Sequence, residues 1–249
     1  MNAKFEYLLR QGDNSLVLGQ RLAEWLGHAP VLEEDIASAN ISLDLVGQAR
    51  LWLTYAGAVE GAGRDEDKLA YHRDQREYRN FTMLELPNED YAFTTVRRFL
   101  FDAWHCLALG ALSRSADPDI AAIAAKSKKE AEYHRRHSGD WLLRLGDGTG
   151  ESHARTQAAL DSLWRYTEEF FETDPVDRAM AGSGEGFPAE SLREAWLAEV
   201  HTMLAEARLA LPAAAKFVSH GKEGQHSEHL GYLLAEMQVL NRAHPGATW

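Results

Sequence analysis

The residues able to do chemistry in this chain gather on a few long apolar stretches. Asn40, Asp44 and Gln48 repeat at i, i+4 and i+8 within a segment that is otherwise apolar nearly all round. Further on, Asp102 and His105 interrupt a hydrophobic run, and Glu130, Ala131 and His134 lie together on a long amphipathic stretch. Two kinds of chemistry use such residues. One is a di-iron pair in a four-helix bundle, which takes carboxylates from two helices and a Glu-x-x-His pair from each of the other two. The i,i+3 spacing aims both side chains of each pair at one metal. The other is a buried hydrogen-bonded network, because polar groups removed from water need partners.

Counting ligands favours the second. On the inward positions of the second helix the chain has Leu45 and Gln48 where Glu and His are needed. On the fourth helix it has Ala131 and His134, and Glu130 lies about 100° round the helix from the position that should carry a carboxylate. The third helix offers Asp102, and the first presents Gly12, Ser15 and Gly19, with Asp13 and Glu24 expected to point elsewhere. The reading is a degenerate metal site at Leu45, Gln48, Asp102, Ala131 and His134, with no metal held by this chain. Asn40, Asp44, Gln48 and Glu130 are expected to form a polar network in the space, with Arg50, Lys68, Arg97 and Arg98 as candidate cations. The alternative is an oxygen-activating enzyme with an unorthodox metal site at Asp102, His105 and His134. A third reading is a free-standing binding protein. Glu130, Glu132, His134 and His137 resemble a metal patch, but Lys128, Lys129, Arg135 and Arg136 beside them predict an ion-paired face. His226 and His229 have zinc-like spacing without enough further ligands, and Ser227 reads as a helix cap.

The elements that position these residues are helices. Apolar or small residues recur every 3.6 positions from Phe5 to Leu26, with Gly12 and Gly19 as points of close helix approach. A second helix, Glu33 to Val59, is predicted to be central because it is apolar nearly all round. A third runs from Ala92 to Ser113. The fourth starts at Asp117-Pro-Asp119 and ends near Leu145. Two further helices, Ala154–Phe171 and Glu190–Leu211, flank a turn-rich connector at 174–186, and a last helix covers Glu228–Arg242. The prediction is one all-α domain over residues 1–249, a helical bundle with additional long helices. Hydrophobic residues make up 45% and charged residues 26%, ordinary values for a globular chain. The formal charge of −12 argues against nucleic-acid and anionic-membrane binding. The single cysteine, Cys106, excludes an intrachain disulfide, and with no signal-peptide layout at the N-terminus a cytoplasmic location is expected.

Several runs resemble a known family. They are Leu9-Arg-Gln-Gly-Asp-Asn-Ser-Leu-Val-Leu18, Gly27-His-Ala-Pro30, Asn40-Ile-Ser-Leu-Asp-Leu-Val-Gly-Gln-Ala-Arg50, Phe101-Asp-Ala-Trp-His105, Lys129-Glu-Ala-Glu-Tyr-His134 and His226-Ser-Glu-His-Leu-Gly231. Together they are similar to the C subunit of the bacterial ring phenylacetyl-CoA epoxidase, from the start of the chain to its end. The resemblance implies a ferritin-like fold and a non-catalytic, metal-poor subunit in aerobic phenylacetate breakdown. It implies as partners a related A subunit holding the di-iron centre, further small subunits and a reductase. Exposed aromatics among Trp25, Trp52, Tyr71, Tyr78 and Trp249 are then candidate interface anchors. Lys216, His220 and Lys222, basic residues in an acidic chain, are candidate contacts to the phosphates of a CoA thioester held by the partner.

Overall fold

The computed structural model describes residues 2–213 and 218–247. Among these it has ten α-helices and no strand beyond one isolated bridge between His220 and Gln225. Among the described residues no helix is long and apolar enough to cross a membrane. The chain is all-α, as predicted. Its contacts divide it into two compact units, Met1–Pro87 with Ser219–Trp249, and Asn88–Val218.

The first unit is built on a hairpin of α1 (Ala3–Glu24) and α2 (Leu32–Glu60). The Asn2 side chain caps α1 by accepting from the backbone N–H of Lys4 at 3.1 Å. In the turn, both carboxylate oxygens of Asp35 are used, accepting from Gly27 N at 2.9 Å and Ala29 N at 3.2 Å. The two glycines work as expected. A Cβ on Gly12 would lie 2.7 Å from Leu53, and Ser42 Oγ donates to the Gly19 carbonyl at 2.8 Å, so the α1 backbone runs close against α2. At the far end Gly61 takes a left-handed conformation (φ 70°) and closes α2 with a bond to Gly57 O. α3 (Glu66–Tyr71), α4 (Thr82–Glu85) and α10 (Glu228–Ala243) complete the unit.

One assignment is reversed. Composition predicts α2 as the central helix, yet α1 is the enclosed one, buried on every side from Glu6 to Gly19. α2 keeps an open face on which Leu32 is 70% and Leu43 68% exposed. Hydrophobicity alone does not say whether the chain itself covers an apolar face.

The second unit is built on α5 (Tyr91–Leu112) and α6 (Pro118–Gly146). Asp117 caps α6 through Asp119 N and Ile120 N, with Pro118 at the first helical position as predicted. The region after Gly146 differs from the prediction. α7 (Gly150–Trp164) stops at Trp164, and Thr167–Phe171 forms a separate 3-10 turn. The expected connector contains α8 (Pro175–Gly182), eight residues closed by a capping box between Asp174 and Asp177. α9 (Arg193–Glu206) ends before Arg208, whose φ of 58° is incompatible with a right-handed helix. An aromatic cluster of Trp104, Phe170, Phe171 and Trp196 holds these pieces on α5. Trp196 Nε1 donates to the Leu100 carbonyl at 3.0 Å.

Candidate functional site

In the second unit, α5 and α6 bring the sequence-predicted polar residues together. Asp102, buried on α5, accepts from Ser138 Oγ on α6 at 2.8 Å and has the Arg98 guanidinium 3.9 Å away. Arg98 also meets His137 Nδ1 at 3.4 Å. Burial pushes the Asp102 carboxyl above its usual range, against the pull of Arg98, His134 and the Ser138 hydroxyl. His105, one turn further, is stacked on Phe101 with centroids 5.0 Å apart. Burial, with His134 nearby, pushes its pKa down to about 3, so its ring is neutral. His134 is buried, and Ala131 beside it has no donor or acceptor in its side chain. Burial likewise pushes the Cys106 thiol up to about 12, an unreactive sulfur. These atoms form a hydrogen-bonded couple around Asp102. Ser138→Ala removes its shortest donor, and a loss of ~1–3 kcal/mol in chemical denaturation is expected, the cost of stranding a buried acceptor.

In the first unit, α2 contributes Leu45 and Gln48, both buried. The predicted polar row is not buried as a row. Asn40 is exposed, Asp44 half-buried and only Gln48 enclosed. The reason is geometric. Four residues advance a helix by about 400°, so an i, i+4, i+8 series drifts about 40° per step and walks from one face to another. Glu130, on α6 in the other unit, is half-buried. The candidate cations are spread out: Arg50 holds Glu66 at 3.2 Å, Lys68 Nζ reaches the Gly63 carbonyl at 3.3 Å, and Arg97 meets Asn88. Of these four, Arg98 is placed beside a predicted site residue, Asp102.

These side chains do not fit a di-iron centre. Leu45 and Ala131 offer no ligand atom, and one Asp102 oxygen is already taken by Ser138. Among the described residues no group of three or more His, Cys, Asp or Glu is arranged to hold a metal ion. The ion-paired face of α6 is as predicted, with Lys128 on Glu132 at 3.6 Å and Arg135 on Glu199 at 2.7 Å.

An extensive polar constellation in the first unit has no local signature in the sequence. Asp13, expected to point away from the inward stripe, is fully buried and forms a two-pronged pair with Arg73. It also accepts from Arg79 N at 2.8 Å, and Arg79 Nε grips both oxygens of Glu6 at 3.0 Å. Next to it, Glu85 accepts from Ser227 N at 2.5 Å, Asn80 Nδ2 at 3.0 Å and His226 Nδ1 at 2.8 Å. Arg21 Nε donates to the Glu85 carbonyl at 3.0 Å. This network fastens the 72–85 segment and the 219–227 loop to α1. It corrects two expectations. Ser227 precedes α10, but its side chain makes no capping bond; its backbone N–H serves Glu85 instead. Lys222, expected in an exposed basic cluster, is only 7% exposed, while the His220 side chain is 40% exposed and 3.9 Å from Glu223. Lys216 and Trp249 lie outside the described residues. Trp52 and Tyr78 are buried and belong to packing, not to a surface.

An all-α chain built on long helical hairpins defines a class, a ferritin-like helical protein. Similarity to known proteins narrows it. The family described as Phenylacetic acid catabolic protein matches residues 1–249, and the chain belongs to it. The chain is 49% identical over 249 residues to the C subunit of the 1,2-phenylacetyl-CoA epoxidase of Escherichia coli (strain K12), covering all of both chains. The resemblance carried by the quoted runs is therefore full-length.

Proposed function

We propose that this chain is a non-catalytic structural subunit of a phenylacetyl-CoA epoxidase, pairing with and stabilising a related di-iron A subunit. The observation that carries the reading is the replacement of ligands by side chains that cannot bind iron, with Leu45 and Ala131 buried at positions that need carboxylates. Identity to a protein named as the C subunit of such an enzyme supports the substrate class and the existence of partner subunits. In this reading the chain holds no cofactor. The di-iron centre, the oxygen chemistry and the thioester contacts belong to the A subunit, and further small subunits and a reductase complete the system in the cytoplasm. The polar couple at Asp102, Ser138 and Arg98 then has a structural task, joining α5 to α6 where a metal would otherwise do so.

Co-expression tests the pairing. A tagged form of this chain is expected to bring down its ligand-complete paralogue in fixed ratio, and the paralogue alone is expected to be less stable or less soluble. A paralogue that is fully active and stable without this chain contradicts the proposal.

A further inference from the structure

The 219–227 loop is built as a separate piece. It closes on itself: Gln225 N and Glu223 N both donate to the His220 carbonyl, at 3.1 and 2.9 Å, and Gly224 N donates to the Gly221 carbonyl at 2.9 Å. Its neighbours have anchors of their own. The 72–85 segment is held on α1 by Arg73 on Asp13, by Arg79 on Glu6 and by Phe81 N, which donates to Asn14 Oδ1 at 2.7 Å. α10 is held by Gln238, whose Nε2 donates to the Arg73 carbonyl at 3.0 Å, and by Arg21, which donates to the His229 carbonyl at 3.1 Å. Two consecutive residues tie the loop to the segment. Ser227 donates its N–H to Glu85 and accepts at its carbonyl from Gln75 Nε2 at 3.0 Å. His226 sets one ring nitrogen on Glu85 and the other on the Tyr78 carbonyl. A cleft of about 670 Å³ beside them, lined by Gln75, Arg76, Glu223, Gly224, Gln225 and His226, gives the loop room to move.

The tie at His226 depends on one proton. A neutral imidazole has a single N–H and leaves one of its two acceptors without a donor, whereas an imidazolium serves both. The His226 and Glu85 side chains are fully enclosed, so water does not replace the missing bond. The charges that favour the proton are Glu85 of α4 and, further off, Asp13 of α1. Arg79, which donates to the same Tyr78 carbonyl at 2.8 Å, opposes it. Arg21 of α1 holds the main-chain carbonyl of Glu85, and Arg76 lines the cleft. Within the loop Lys222 is buried and His220 stands 3.9 Å from Glu223. We propose that the loop is a proton-held latch. With an imidazolium at His226 it docks on Glu85 and Tyr78; with a neutral ring it detaches as a unit while α1, the 72–85 segment and α10 stay folded.

Hydrogen exchange on the full chain, corrected for the intrinsic pH dependence of amide exchange, tests this. In the wild type the amides of 223–227 are expected to lose protection about tenfold for each pH unit above the ordinary histidine value. The loss should level off once the docked ring is neutral. At every pH these amides are expected to exchange at least about tenfold faster than those of α1, the mark of an opening smaller than global unfolding. His226→Gln removes the titration, and its loop should be poorly protected at acidic and alkaline pH alike. Glu85→Gln keeps the shape of the acceptor without its charge, and the levelling-off should then come at a lower pH. Circular dichroism should show helix content unchanged across the range. Loop protection that ignores pH in the wild type overturns the proposal. So does a loop that exchanges in step with α1, or a Glu85→Gln profile that does not shift.

Discussion

Arg73→Ala is expected to destabilise the chain by ~3–5 kcal/mol, the cost of leaving one member of a buried ion pair alone. Asp13 and Arg73 are 0% and 1% exposed at their side chains, so neither charge has water to fall back on. Asp13 lies on α1, which is enclosed all round. It also holds Arg79 N, while Arg73 donates to the Glu77 carbonyl at 2.9 Å and covers the Tyr78 ring with its guanidinium 4.3 Å from the centroid. Loss of the guanidinium thus releases the 72–79 segment as well as a carboxylate. Urea denaturation measures the change. Replacing both partners together by apolar residues of similar volume, Asp13→Leu with Arg73→Met, is expected to cost much less than Arg73→Ala, because no charge is then stranded. Equal losses in the single and double variants would show that packing, not charge, sets the effect.

Stability is expected to fall on the alkaline side because of His226. Its two ring nitrogens both face acceptors, Glu85 Oε2 at 2.8 Å and the Tyr78 carbonyl at 3.0 Å. A neutral imidazole has one N–H and satisfies one of them; the imidazolium satisfies both. Burial pulls the His226 pKa down, but the hydrogen bond and charge of Glu85, the Tyr78 carbonyl and the more distant Asp13 outweigh it and leave the value raised. A folded-state pKa above the ordinary histidine value stabilises fully below that ordinary value. The contribution is lost as pH climbs through the raised folded one. Wild type should therefore lose about 1–3 kcal/mol between mildly acidic and alkaline pH that His226→Ala does not lose. Parallel pH-stability curves for the two proteins would contradict the imidazolium. The loss should be felt first by the 219–227 loop, where Gly224 (φ 80°) lies so close to the Arg76 carbonyl that no Cβ fits.

Much of this is legible in the chain. Periodicity places the long helices, and Asp117-Pro118 marks the start of α6 because its capping chemistry is local. What stays hidden is set by tertiary structure. Arg73 reaches Asp13 across 60 positions and His226 reaches Glu85 across 141, and no local spacing announces either. A single apolar stripe along α1 points Asp13 outward, whereas that helix is enclosed all round. The row of Asn40, Asp44 and Gln48 fails for a different reason, the drift of four-residue steps around the helix. Apolar composition makes α2 look central because it does not reveal that Leu32 and Leu43 face outward. Lys222 reads as a surface charge because loop lysines usually are.

Iron analysis of the purified chain, then of its complex with the ligand-complete paralogue, tests most directly whether this chain holds no metal and leaves the chemistry to a partner. The expected result is no stoichiometric iron in the chain alone and about two irons per heterodimer, all in the partner. Stoichiometric iron in the isolated chain, lost on Asp102→Ala or His134→Ala, would contradict it.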